Sequence, residues 1–359
     1  MRTGIANLPL HQGRVPRWLF EKMTRLARQI SLAIISEFSS QTFLSKLSDP
    51  YWFQSFGAVL GFDWHSSGLT TTVCGALKQG LRGLEKDTGL IIAGGKGKTS
   101  RSTPEELDFF GQKFSFDAKP LVYASKMSAK VDNTAVQDGY QLYHHTFIAT
   151  LAGEWAVLQQ GMSLDKLGIK AGWARRYHWL SDNLSDFVCE PHTGIASDHR
   201  GRTLNMVAKE SSQARSISAQ LARQRPENLI ATFEKLQTFN LPSRHEVLVK
   251  NLRRESLKKI LLKTYEVCPS NFEELLGIQG VGPKTIRALA LVSELIYGAP
   301  VSCQDPAKFS FAHGGKDDMP YPVDRQTYER SIEVLRIAVK KAKIGRREKL
   351  DALRQLSFI

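Results

Sequence analysis

Near the start of the chain, apolar residues recur at helical spacing, at Leu19, Met23, Leu26, Ile30 and Ile34, and predict a helix from about Pro16 to Phe38. A second helical pattern holds Ala76, Leu77, Leu81 and Leu84, with Ser67 or Thr70 as its cap. The period then changes. Leu90 to Ala93 reads as a strand, and Thr146–Leu151 and Trp155–Leu158 read as a hairpin about Ala152-Gly153-Glu154, with Gln159 and Gln160 closing its second strand.

From about residue 206 the pattern is helical, over 208–223, 226–236, 256–265 and 271–276, and again around Tyr328, Ile332 and Leu335. Glycines at Gly194 and Gly201 punctuate the change. The predicted fold class is therefore α+β, with a mixed N-terminal domain (1–205) that contains an antiparallel β-hairpin. An all-α domain (206–359) follows and contains a helix-hairpin-helix at 271–292.

That hairpin, Leu276-Gly277-Ile278-Gln279-Gly280-Val281-Gly282-Pro283-Lys284-Thr285, is the most informative stretch. Gly280 and Gly282 suit a turn that approaches something closely, and Pro283 gives up an amide that a first helical turn cannot use. The remaining free amides of the helix N-terminus suit a phosphate. A turn that serves only helix packing is the competing reading.

Composition reinforces a polyanionic partner. Forty-nine Lys and Arg against 35 Asp and Glu give a formal charge of +14 over 359 residues, which favours nucleic acid before an uncharged small substrate. The first residues, MRTGIANLPLHQGR, lack the apolar core of a signal peptide, and no stretch approaches a membrane span. A cytoplasmic, nucleoid-associated protein is expected, with no membrane and no obligate protein partner.

Candidate chemistry is scattered. Leu90-Ile91-Ile92-Ala93-Gly94-Gly95-Lys96-Gly97-Lys98-Thr99 brings a strand into a basic glycine loop, so Lys96 and Lys98 are expected on a DNA backbone. The loop lacks the spacing of an ATP-binding loop, because Ile92 stands where its first glycine belongs. Arg175-Arg176-Tyr177-His178-Trp179 adds a basic aromatic cluster, with Arg175 and Arg176 as further DNA contacts. A candidate base pocket gathers Asp63, His65, Gln137, Tyr140, His144, His145, Gln159, Gln160, His178 and Trp179. Adjacent strand residues face opposite sides, so His144 and His145 share one pocket only if the strand is broken.

Cys189-Glu190-Pro191-His192 has ligand-like spacing, but a zinc site needs a second convergent pair, and no cofactor or metal is expected. Asp63, Asp132, Asp138 and Glu154 are the carboxylates that an alternative, a metal-dependent nuclease, would use. A non-enzymatic DNA-binding repair protein is the third reading.

The hairpin, followed by Pro322-Val323-Asp324 and Ile332, resembles the helix-hairpin-helix DNA glycosylases, notably the 8-oxoguanine glycosylases. The resemblance covers mainly 206–350. It implies excision of a damaged or modified base that is flipped from double-stranded DNA, with single-stranded DNA as a further partner. It also implies Asp324 as the essential acid, stabilising the oxocarbenium ion, and the unprotonated amine of Lys284 as a nucleophile that opens a lyase route. The interval between Lys284 and Asp324 is longer than in that family, so the intervening chain has to loop out, and Asp317 or Asp318 competes for the role of acid.

Along nearly its full length, through LPLHQGRVP, GFDWHSSGLTT, GGKGK, DGYQLYHH, QQGM, RRYHW and FSFAHGGKDDMPYPVD, the chain also resembles a prokaryotic family called domain of unknown function 763. That resemblance implies a shared fold and does not choose the reaction.

Overall fold

A computed structural model describes residues 15–62, 68–164, 170–197, 199–236, 254–308 and 325–357. Its helices are α1 (Arg17–Glu37), α2 (Ser40–Ser48), α3 (Pro50–Val59), α4 (Leu69–Leu81) and the single turn α5 (Glu85–Thr88). Strand β1 (Leu90–Lys96) leads into α6 (Lys98–Arg101), α7 (Thr103–Phe114) and α8 (Lys119–Lys130), and α8 runs directly into one π-helical turn, Val131–Ala135. Then come β2 (Val136–Gln137), β3 (Tyr140–Thr150), β4 (Trp155–Leu164), β5 (Lys170–Leu180), β6 (Gly194–Ser197) and β7 (Leu204–Asn205). Helices α9 (Ser212–Ala222), α10 (Pro226–Leu236), α11 (Arg254–Val267), α12 (Phe272–Gly277), α13 (Pro283–Tyr297), α14 (Arg325–Lys341) and α15 (Arg346–Ser357) complete the described chain.

The predicted hairpin is the centre of a larger antiparallel sheet in the order β1-β3-β4-β5-β6, while β2 pairs with β7 apart from it. Alternation along the strands sends successive side chains to opposite faces, and both faces are covered. Ile91, Ala93, Phe147, Ala149, Val157 and Trp179 pack with α8 through α13 in one apolar cluster. Leu90, Ile92, Ile148, Ala156, Leu158 and Leu180 pack on the other face with α1 through α4, and Leu335, Ala338 and Val339 of α14 join them. The arrangement is mixed α+β in three layers.

The packing crosses the position at which the sequence predicts a domain boundary. One apolar cluster runs from Ile91 of β1 to Ala299, and α14 returns to the layer built by the first helices. Burying apolar side chains on both faces is the main stabilising term for such a layered arrangement, at about 25 cal/mol per Å² removed from water.

The start of the chain fits its sequence pattern: Met23, Ala27, Ile30 and Ile34 form the buried stripe of α1. Asp49 caps α3 by accepting from the amides of Tyr51 (2.8 Å) and Trp52 (3.2 Å), and Pro50 sits at the first helical position. At Gly94 the backbone φ is +86°, and a Cβ there would lie 2.2 Å from the carbonyl oxygen of His145, so only glycine lets β1 close on β3. Among the described residues, no helix is long and apolar enough to cross a membrane.

Candidate nucleic-acid interface

The corner between α12 and α13 is built from buried anchors and an exposed tip. Leu275, Leu276, Ile278 and Val281 are buried, whereas Gly277, Gln279, Gly280 and Lys284 are exposed. Gly280 has φ +99°, a left-handed value that side-chain-bearing residues rarely adopt, and the amide of Val281 closes the turn onto Ile278 O at 3.1 Å. Gly282 is the extended cap residue of α13, with no side chain capping the helix, and Pro283 takes the first helical position. The first-turn amides of α13 therefore lack a side-chain acceptor of their own, at the positive end of a fifteen-residue helix.

Two side chains from the mixed half hold this corner from behind. Lys130 Nζ donates to Val281 O at 2.5 Å, and Gln137 Nε2 donates to Pro283 O at 3.0 Å. The hairpin is thus tied to the end of α8 and to β2 as well as to its own helices. Thr285 differs from expectation. Its side chain is buried, leaving its amide as the group that can meet a phosphate.

Beside the corner lies a cleft of about 590 Å³. Pro283, Arg287, Leu291 and Glu294, on one face of α13, form one wall; Asn133, Gln137 and Tyr140 face them across the opening, with Arg202 and Cys303 at its edge. A cavity of this size accommodates a nucleotide. Arg287 has a buried Nε without a hydrogen-bond partner, and burial lowers the basicity of its guanidinium. Of the ten base-pocket candidates, Gln137 and Tyr140 line this cleft.

Most of the other candidates are corrected by the sheet. His144 and His145 point to opposite faces despite an irregularity in register between Leu142 and His144. His145 is buried in an internal chain: Ser125 Oγ lies 2.9 Å from its Nε2, its Nδ1 is 3.0 Å from Gln159 Oε1, and Gln159 Nε2 donates to Asp132 Oδ2 at 2.6 Å. Asp132 also accepts from Trp179 Nε1 (3.0 Å) and lies 2.5 Å from His192 Nε2. On the opposite face, Gln160 Nε2 donates to Tyr143 Oη at 2.5 Å, and His178 receives Arg176 Nε at 2.7 Å. These side chains fill the interior of the layers and do not converge on one pocket. Asp63 and His65 lie outside the described residues.

Arg175 and Arg176 are likewise corrected: both are buried, because β5 is covered on each face. Arg175 sits between Asp138 (2.8 Å) and Asp305 (2.7 Å), and also donates to His199 O at 3.0 Å. Burial opposes its charge, but the two carboxylates outweigh burial and hold the guanidinium more firmly protonated than usual. Arg176 donates to Gln54 Oε1 (3.1 Å) and Pro50 O (3.3 Å) and lies over the Phe53 ring. Lys96 and Lys98 are exposed, as a backbone contact requires.

Of the carboxylates of the nuclease alternative, Asp132 and Asp138 are engaged in the same interior, and Glu154 is half-buried at the β3–β4 turn. Asp138 receives Arg175 and Tyr177, Asp132 receives Gln159 and Trp179, and Glu154 receives Thr150 Oγ1. Among the described residues, no three His, Cys, Asp or Glu side chains come together in a metal-binding group, and His192 of the Cys189–His192 pair is turned to Asp132. Asp317, Asp318 and Asp324 lie outside the described residues, so Lys284 is the one proposed catalytic group with a described position.

A family model described as "Protein of unknown function (DUF763)" matches residues 4–323. The chain belongs to that family. The matched stretch contains the hairpin, the cleft and every described strand of the sheet, and α14 and α15 follow it. No curated protein and no solved structure matches the chain.

Sequence reasoning missed Arg287, Arg202 and Asn133. Arg287 carried a usable signal: it falls one helical turn after Pro283, so it shares the face that flanks the cleft. Arg202 and Asn133 come to the cleft from a loop and a π-helical turn, where periodicity offers no guide.

Proposed function

We propose that this protein binds duplex DNA through the Ile278–Thr285 corner and acts there as a DNA glycosylase, excising a damaged or modified base. The observation that carries the reading is an exposed glycine corner at an uncapped helix N-terminus, with a nucleotide-sized cleft along the same helix. The first-turn amides grip the phosphate, joined by Lys284 where it is not the nucleophile, while Gln137 Oε1 offers an acceptor, Arg287 a donor and Tyr140 an aromatic ring to the extruded nucleotide. The net charge of +14 supports the same partner.

In this reading Asp324, just ahead of α14, stabilises positive charge that develops on the deoxyribose as the glycosidic bond breaks. Where Lys284 attacks C1′, a carbon–nitrogen bond forms as the bond to the base breaks, and the base leaves with the electron pair and acquires a proton. The resulting iminium permits strand scission.

The test uses end-labelled duplexes that each carry one damaged or modified base, incubated with EDTA and then divided for alkali treatment. Strand breaks that appear only after alkali are expected for base release alone, and direct breaks trapped by borohydride for Lys284 as nucleophile. Lys284→Ala should abolish trapping, and Asp324→Asn should lower base release by roughly 100-fold or more while duplex affinity stays within a factor of two. Cleavage that EDTA abolishes, or full base release by Asp324→Asn, would overturn the assignment.

A further inference from the structure

A second cavity, of about 1040 Å³, opens on the sheet face that carries His144, beneath α4 and α7. Its floor is the end of β1 and β3, where Gly94 and Gly95 contribute no side chains and leave room above Thr146 and His144. Its walls mix cations with phenylalanines: Lys78 and Arg82 come from α4 and its end, Lys96 from β1, and Phe109, Phe110 and Lys113 from α7.

The charges at this opening are unequally matched. Lys78 Nζ is paired with Glu106 Oε2 at 2.6 Å and donates to Gly94 O at 2.7 Å, and Lys113 lies 3.6 Å from Glu85. Arg82 and Lys96 have no carboxylate within ion-pair distance among the described residues, and both are exposed. On the α7 wall, Phe109 is 58% exposed, a large apolar ring lining a basic cleft. Lys98 and Arg101 follow directly in the exposed turn α6.

An open basic cleft with an exposed aromatic ring suits one class of ligand in particular. Single strands present phosphates and unstacked bases together, and a phenylalanine face can receive a base regardless of its identity. A duplex keeps its bases stacked and offers nothing to Phe109. We propose that the cleft between α4, α7 and the end of β1 binds a short single-stranded DNA segment, with one base on Phe109 and its phosphates on Arg82 and Lys96. The site is separate from the α12–α13 corner, so it gives the proposed DNA-binding protein a hold on a displaced or unpaired strand and stands or falls independently of the glycosylase reading.

The experiment measures fluorescence anisotropy of labelled oligo(dT) and of a labelled duplex with the full-length protein. Phe109→Ala should weaken oligo(dT) binding about 5- to 150-fold, the range expected for one lost stacking contact. Arg82→Ala with Lys96→Ala should weaken it further and make the salt dependence shallower by about 0.7 per phosphate released. Phe109→Ala should leave duplex affinity within a factor of two. Oligo(dT) binding at wild-type strength by a folded Phe109→Ala protein, or equal losses on single strand and duplex, would overturn the proposal. Wild-type protein photo-cross-linked to an oligonucleotide containing 5-iododeoxyuridine provides a test free of folding effects. Adducts on Phe109 or Phe110 are expected, and adducts confined to residues outside this cleft would contradict it.

Discussion

Replacing Arg175 with methionine is expected to destabilise the fold by about 3–5 kcal/mol, the usual cost of removing one partner from a buried ion pair. The substitution leaves Asp138 and Asp305 facing each other in a space from which solvent is excluded, since Arg175 and Asp138 have fully buried side chains and that of Asp305 is 6% exposed. Tyr177 Oη still donates to Asp138 at 2.6 Å, but one hydroxyl does not neutralise two carboxylates. Urea denaturation followed by circular dichroism measures the loss. Adding Asp138→Asn and Asp305→Asn should recover much of it, because the uncompensated charges disappear. A change below about 1 kcal/mol, accompanied by weaker DNA binding, would instead restore Arg175 as a surface contact.

Acid is expected to unfold the protein earlier than its carboxylates alone require. Three histidines are buried and held neutral: burial lowers His144 to about 3 and lowers His145, and burial together with the Arg176 charge lowers His178 well below its usual value. Their geometry agrees, since Arg176 Nε donates to His178 Nε2 at 2.7 Å and so occupies the position where a proton would bind. In the unfolded chain each takes a proton near the ordinary value of 6.5. Below that pH the unfolded state holds more protons than the folded one, so stability rises with pH and falls as the solution is acidified. For His144 alone the loss by pH 5 is roughly 2 kcal/mol, and His145 and His178 act in the same direction. Urea midpoints at pH 7.5, 6 and 5 should fall steadily, and His178→Gln should flatten the slope. Constant midpoints, or imidazole resonances assigned to His144, His145 or His178 that titrate near 6.5 in the folded protein, would contradict this account.

The hairpin and the first helix were legible because each depends on local chemistry. Gly280 and Pro283 mark a turn and a helix start whatever surrounds them, and the spacing of Met23, Ile30 and Ile34 marks one buried face. Strand β1 and the β3–β4 hairpin were legible for the same reason. Strand β5 was not, because Arg175-Arg176-Tyr177-His178-Trp179 reads as a polar surface cluster unless both faces of the sheet are known to be covered. That coverage comes from helices as distant in sequence as α3 and α9.

The candidate pocket failed for a related reason. Polar residues close in sequence, such as His144, His145, Gln159 and Gln160, share one pocket only if the strand is broken, and strand alternation divides them between two layers. The polar interior instead organises around Asp132 and Asp138, whose partners come from β4, β5 and the loop after β5. Long-range pairing of that kind leaves no local period. The packing of α14 on the first helices is equally invisible, since its apolar stripe names no partner.

Duplex affinity after charge reversal at the corner is the most direct test of the central claim. Gln279→Glu combined with Lys284→Glu alters two exposed side chains at a turn whose buried anchors are untouched, so the circular dichroism spectrum and melting temperature should remain those of the wild type. If the first-turn amides of α13 and Lys284 hold a phosphate, duplex affinity should fall about tenfold or more at moderate salt, with a shallower dependence on salt concentration. Wild-type affinity and an unchanged salt slope in that folded variant would show that the corner does not contact DNA.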